Sequence, residues 1–249
     1  MGVLRNMVTR MCRPAMAPSQ GAESEPSRPG TLRWGDLRRV EPISRQWGWD
    51  RGLPVDRYYI EQFLGRHAGD IHGRVLEIQD NWYTKKFGGA GVVTSDVLHL
   101  VEGNPQATLV ADLTRAEAIA SDTYDCAVIT QTLNRIYDMR AAVRTLHRIL
   151  RPGGVLLATV PGISHMDLNE KPSGWYWGLT SLSIRQLFEE AFPSVNLTVE
   201  GFGNVLTACA FLQGIAMEEL TSEELGYRDS NYDLLLTVRA VRDMDSREG

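Results

Sequence analysis

The chain has 249 residues, 43% of them hydrophobic and 23% charged, with 26 basic and 31 acidic side chains for a formal net charge of −5. That balance gives no electrostatic basis for nucleic-acid binding, which needs clustered Lys and Arg. Three scattered cysteines, Cys12, Cys126 and Cys209, form no C-x-x-C pair, so a disulfide framework and a structural zinc site are both disfavoured, and no stretch reaches the roughly 18–20 uninterrupted apolar residues of a membrane helix.

The charge is unevenly spread. Residues 1–40 hold seven arginines against Glu23, Glu25 and Asp36, a local +4 that leaves −9 for the rest. From Pro14 to Gly30 the composition is Pro, Ser, Ala, Gly and Glu, with almost nothing large to bury against the entropy of ordering. Residues 1–30 are therefore expected to be a disordered leader. Arg5, Arg10 and Arg13 interrupt any signal-peptide core, and cytoplasmic residence is expected. Residues 31–68 are expected to form a lid segment and helix, and residues 69–249 the main domain.

In chain order, 56–68 reads as a helix, with Tyr59, Ile60, Phe63 and Leu64 on one face. Strands are expected at 74–78, 92–95, 107–111, 125–130 and 155–160, the fourth rich in Val, Ile and Thr as a strand buried on both faces should be. A helix over 139–150 is stopped by Arg151-Pro-Gly-Gly154. Further on come a helix at 183–191, a strand at 196–200, a helix at 205–219 and a strand at 233–240. This alternation predicts an α/β fold, a doubly wound and mostly parallel seven-stranded sheet. Ligands of such sheets bind outside the carboxyl ends of the strands.

The loop after the first strand, Glu77-Ile-Gln-Asp-Asn-Trp-Tyr-Thr-Lys-Lys-Phe-Gly88, has no glycine before Gly88. It therefore cannot be the G-x-G-x-x-G turn whose amides cradle a pyrophosphate. Side chains such as Asp80, Asn81 and Thr84 could hold a ligand without phosphates, and Asn81 tolerates a left-handed backbone. Asp96 stands after the predicted second strand, Asp112-Leu113 after the third and Gln131-Thr132 after the fourth. Acids at these strand ends suit a nucleoside.

Val75-Leu-Glu-Ile78, Asp96, Val110-Ala-Asp-Leu113, Tyr124 to Leu133, and above all Leu146-His-Arg-Ile-Leu-Arg-Pro-Gly-Gly-Val-Leu-Leu-Ala-Thr-Val-Pro161 resemble the class I S-adenosylmethionine-dependent methyltransferases, the type 11 group in particular. The resemblance spans residues 70–241 and implies an antiparallel last strand inserted between the fifth and sixth. It implies S-adenosyl-L-methionine as cofactor, with Glu77 to Tyr83, among them Gln79, Asp80 and Asn81, around its methionine part. Asp96 would then accept from the ribose, Asp112 and Leu113 flank the adenine, and Gln131 lie near the methionine amino group. The chain departs from the family where the usual glycines of the first loop are Gln79, Asn81 and Tyr83. Glu77 is open to two readings, a cofactor-shell acid or a strand-end cap.

His165, in the loop after the fifth strand, is the candidate base for an acceptor that must lose a proton, with a solvated loop histidine as the plainer reading. Trp175, Trp177 and the pair Trp47 and Trp49 sit in glycine-containing loops and could line an acceptor pocket. Arg57 could pair a carboxylate, with Tyr58 beside it. No metal-ligand spacing is present among the histidines. The expected activity is methyl transfer to an oxygen or nitrogen of a small-molecule acceptor, possibly glycosylated, with no nucleic-acid or membrane partner. The alternative is a methyltransferase-fold protein that has lost or repurposed the cofactor site.

Overall fold

A computed structural model of the protein describes residues 35–167 and 174–244. The expected leader, 1–30, lies outside the described residues. The chain divides into Met1–Val40 and Glu41–Gly249. Of the first unit only 35–40 are described, with a 3-10 turn at Gly35–Leu37. The second carries everything that follows.

Its centre is a seven-stranded sheet. The strands are β1 (Gly73–Ile78), β2 (Val92–His99), β3 (Leu109–Val110), β4 (Tyr124–Thr130), β5 (Leu150–Pro161), β6 (Leu197–Phe202) and β7 (Leu235–Val241). They lie in the order β3-β2-β1-β4-β5-β7-β6. The first five pair in parallel, while β7 runs antiparallel between β5 and β6, as the family resemblance implies. The order reverses between β1 and β4, whose shared carboxyl end is the expected ligand position.

Alternate residues of the central strands feed two cores. Ala127 and Ile129 of β4 and Leu156 and Ala158 of β5 face one side, packing with Val143 and Leu146 of α3 (Met139–Ile149) and Phe188 of α4 (Ser181–Glu189). Cys126, Val128, Val155 and Leu157 face the other, with Ile60, Phe63 and Leu64 of α1 (Val55–Arg66) and Phe211 of α5 (Val205–Gln213). Strands buried on both faces read as continuous apolar runs, which is why β4 and β5 were visible in the sequence. The helix of the expected lid segment, α1, is built into the second core, and before it Ser44 donates its amide to the Gln213 carbonyl while the Leu53 carbonyl accepts from the Met217 amide.

Several elements differ from expectation: of the strand expected over 107–111 only Leu109–Val110 forms, and the fifth strand begins at Leu150 instead of 155. The second strand extends to His99 instead of ending at Ser95, because residues 94–98 stay in parallel register with Arg74–Ile78. The helix expected over 205–219 ends at Gln213, since Gly214 takes φ +68°. A side chain there would also run into the Ser44 carbonyl oxygen. Two short helices were unforeseen, α2 (Trp82–Phe87) and α6 (Ser222–Gly226). The connections from β2 to β3 and from β3 to β4 are made of turns, without a helix.

Candidate functional site

The strand ends open into a cleft of about 1100 Å³. Its floor is Glu77, Ile78, Gln79 and Asp80 after β1, Leu98 to Val101 after β2, Ala111 to Thr114 after β3, and Thr130 to Thr132 after β4. Trp49 and Leu53, in the turns before α1, and Arg57 and Glu61, four residues apart on α1, form one wall.

The loop after β1 keeps the backbone shape of a glycine turn without the glycines. Gln79, not Asn81, takes the left-handed conformation, at φ +76°. Its carbonyl accepts from Asn104 Nδ2 at 2.6 Å and its amide donates to the Leu98 carbonyl at 3.1 Å. Gln131, at the end of neighbouring β4, is also left-handed, at φ +49°. Each such non-glycine residue costs about 1–3 kcal/mol, and residues of this kind concentrate at functional sites. The Asn81 amide donates instead to Ser95 Oγ at 3.1 Å, away from the cleft lining.

Glu77 resolves towards the cap. Its two oxygens accept from the amides of Tyr83 and Thr84 at 3.1 and 2.8 Å, holding the start of α2. Burial raises its carboxyl to about 7, with the amide hydrogen bonds opposing the shift. Asp80 accepts from the Trp82 amide at 2.8 Å and lines the cleft.

The deepest polar group joins α1 to β4. Gln131 Nε2 donates to Asp56 Oδ2 at 3.2 Å. Arg57 Nη1 donates to the Tyr83 hydroxyl at 3.1 Å, and Arg57 Nε stands 3.9 Å from Asp56 Oδ1, beyond hydrogen-bond reach. Asp56 Oδ1, Arg57 Nε and Gln131 Oε1 are buried without a hydrogen-bond partner among the described residues. Burial pushes the Asp56 carboxyl above its usual range, against the pull of Arg57.

Asp112 and Leu113 both line the cleft. Asp112 Oδ1 accepts from the Thr114 amide and hydroxyl, each at 2.8 Å. Asp96 is a correction. It sits within β2 opposite Leu76, three residues short of the strand's end, and accepts from Arg74 Nε at 2.7 Å. The end of β2 instead presents His99, Leu100 and Val101. His165 also falls outside the cleft lining. Its ring stacks on Trp47 with centroids 4.6 Å apart, and burial lowers its pKa. Trp177 anchors the segment, its Nε1 donating to the Ile136 and Tyr137 carbonyls at 3.1 and 3.2 Å. Tyr176 lines the cleft, whereas Trp175, Trp177 and Tyr58 do not. Sequence reading thus missed Asp56, Glu61, His99, Arg135 and Tyr137, while Trp82 and Tyr176 lie inside the segments it singled out, 77–83 and 175–177. The aromatics among them signal themselves only as large rings in segments where nothing needs covering. Among the described residues no cluster could hold a metal ion, and no helix is long and apolar enough to cross a membrane.

No curated protein matches the chain in sequence. Among solved structures, an S-adenosylmethionine-dependent methyltransferase from Archaeoglobus fulgidus aligns at 12% identity and TM-score 0.50, over 74% of this chain and 94% of that one. One from Mesorhizobium loti aligns at 16% and 0.50, over 78% and 100%. Phosphoethanolamine N-methyltransferase 2 of Haemonchus contortus aligns at 14% and 0.47, over 75% of this chain, and the chain spans 56% of that protein's length. At such identities the likeness shows the fold alone. A family model described as a methyltransferase domain matches residues 41–196, more than half of the chain. By that match, on a sheet of this strand order, the chain belongs to the class I S-adenosylmethionine-dependent methyltransferases.

Proposed function

We propose that the protein binds S-adenosylmethionine in the cleft and transfers its methyl group to an oxygen or nitrogen of a small-molecule acceptor, of the glycosylated or secondary-metabolite kind. The observation that carries this reading is the polarity of the cleft. At one end Arg57 Nε and Gln131 Oε1, on side chains that line the cleft, are buried without a hydrogen-bond partner among the described residues. Such atoms cost free energy unless a ligand satisfies them, and both an acceptor and a donor are needed to match an amino-acid zwitterion. At the other end Leu98, Leu100, Val101, Ala111 and Leu113 give apolar walls for a base, with Asp112 at their edge. The residues present therefore fit the cofactor at both ends, while the ribose acid expected at Asp96 is elsewhere.

When bound, the cofactor supplies a methyl group already activated by a positively charged sulfur. What the chain must add is alignment of the acceptor and exclusion of water. Trp49, Trp82, Tyr137 and Tyr176 line the cleft and are each more than half exposed. Exposed rings gathered at one opening mark a binding surface, and their flat faces suit sugar or aromatic rings. Asp80 and Asp138 can accept from acceptor hydroxyls or amines at the same opening.

The filled glycine positions at Gln79, Asn81 and Tyr83 favour a second reading, a methyltransferase-fold protein that holds no cofactor. Calorimetric titration with S-adenosylmethionine and S-adenosylhomocysteine separates the two. Saturable heat is expected, and its absence at high protein concentration would sink the enzyme reading. Arg57→Ala should weaken affinity by one to two powers of ten, since a hydrogen bond to a charged group contributes about 1.5–3 kcal/mol. Asp96→Ala, outside the cleft lining, should leave it unchanged.

A further inference from the structure

Gln131 has an amide whose two ends are chemically opposite, and only one can face the ligand. Its Nε2 donates to Asp56 Oδ2 at 3.2 Å, and its Oε1 is the buried atom without a partner. Asp56 sits in the first turn of α1, 6% exposed and outside the cleft lining, while Gln131 lines the cleft. The Asp56 carboxyl accepts from the NH₂ end of the amide, which leaves Oε1 as the end without a partner. The left-handed backbone of Gln131, whose own amide donates to the Thr159 carbonyl at 2.8 Å, sets where that side chain starts.

We infer that Asp56 is a positioning residue: it fixes the Gln131 amide so that the end of β4 offers the cleft a hydrogen-bond acceptor, which selects a ligand bearing an ammonium group there. This rests on the proposed cofactor reading and deepens it. The glycine-poor loop offers little backbone for this task, because the Gln79 carbonyl is occupied by Asn104. A side chain on another strand, oriented from a helix, takes its place.

The test compares two ligands at pH 8 by calorimetry. S-adenosylhomocysteine carries the amino-acid end, and 5′-methylthioadenosine lacks it. Asp56→Asn replaces the carboxyl with an amide that can pair with either end of the Gln131 side chain, so Oε1 is no longer held towards the cleft. Binding of S-adenosylhomocysteine should fall at least tenfold, with methylthioadenosine unchanged. Asp56→Glu, which keeps an acceptor, should restore most of the difference. Gln131→Met should reproduce the loss, and the Asp56→Asn/Gln131→Met double variant should lose no more than Gln131→Met alone. Equal weakening of both ligands, or an unchanged ratio between them, overturns the inference. If Asp56→Asn does not fold, the ratio is read on Asp56→Glu and Gln131→Met, and a Met variant that keeps the wild-type ratio overturns it equally. Failure of the wild-type protein to bind either ligand would instead overturn the cofactor reading itself.

Discussion

Glu77 shows how one residue links loop shape to pH. Its folded-state pKa of about 7 lies above the ordinary 4.5 because burial penalises the carboxylate more than the Tyr83 and Thr84 amides stabilise it. Between those two values the folded state holds a proton that the unfolded chain releases. Stability from this group is therefore complete below pH 4.5 and declines as pH rises through 7, by up to about 3 kcal/mol. Glu77→Gln should flatten that decline. Urea unfolding at pH 5 and pH 8 checks it, and parallel losses in the two proteins would refute the assignment. The acid itself was legible from its place after a β-run, but its partners were not. The segment after it contains no apolar periodicity long enough to announce α2, a six-residue helix held by a carboxylate six positions upstream. Asp96 failed for the converse reason. An Asp in a strand looks like a terminus until a cation two pairs along the neighbouring strand is known, and Arg74 is brought alongside only by the parallel register.

At the scale of elements, the legible ones were those whose apolar pattern is long: α1, α3, β4 and β5. The stretch after β6 was read as one helix over 205–219 because both α5 and the turn after it carry apolar residues, and the sequence does not show the close approach of Ser44 that demands glycine at 214. Asn204 organises this region. Its Oδ1 accepts from the Thr207 amide at 3.0 Å as the cap of α5, and its Nδ2 donates to the Glu224 and Tyr227 carbonyls at 2.8 and 2.9 Å, tying α6 to α5. An ordinary cap contributes about 1 kcal/mol. Because Asn204 is buried and its removal strands two further carbonyls, Asn204→Ala should cost about 2–4 kcal/mol. Thr221→Ala, which removes only the exposed cap of α6, should cost about 1 kcal/mol. Equal midpoint shifts for the two in urea, at constant slope, would show that Asn204 is merely a cap.

Across the whole molecule, β4 and β5 belong to both cores, so neither face can unfold while the other keeps its sheet. Phe63, against one face, and Phe188, against the other, are both fully buried. Truncating either to alanine should cost about 3–5 kcal/mol. Each should lower one shared transition, seen alike by tryptophan fluorescence and by circular dichroism. Separate transitions in either variant would show that the faces are independent. The antiparallel β7 inserted between β5 and β6 followed from the family resemblance, whereas the position of the cleft's polar end did not. It depends on α1 meeting the end of β4 across 75 residues of chain, a distance no local pattern encodes.

The two turn-built connections flanking β3 give the cleft unequal walls. Where Asp56, Arg57 and Gln131 meet, a twelve-residue helix and a central strand hold the backbone, and the geometry is set before any ligand arrives. At the opposite end a two-residue edge strand and turns carry His99 to Val101 and Ala111 to Thr114. Such segments open locally at low free-energy cost. On the proposed reading, a cofactor spanning the cleft has its amino-acid end at the wall built from helix and central strand and its base at the wall built from turns. Changes to the base are then absorbed by the loops, while a change of one polar atom at the amino-acid end meets a wall that cannot adjust.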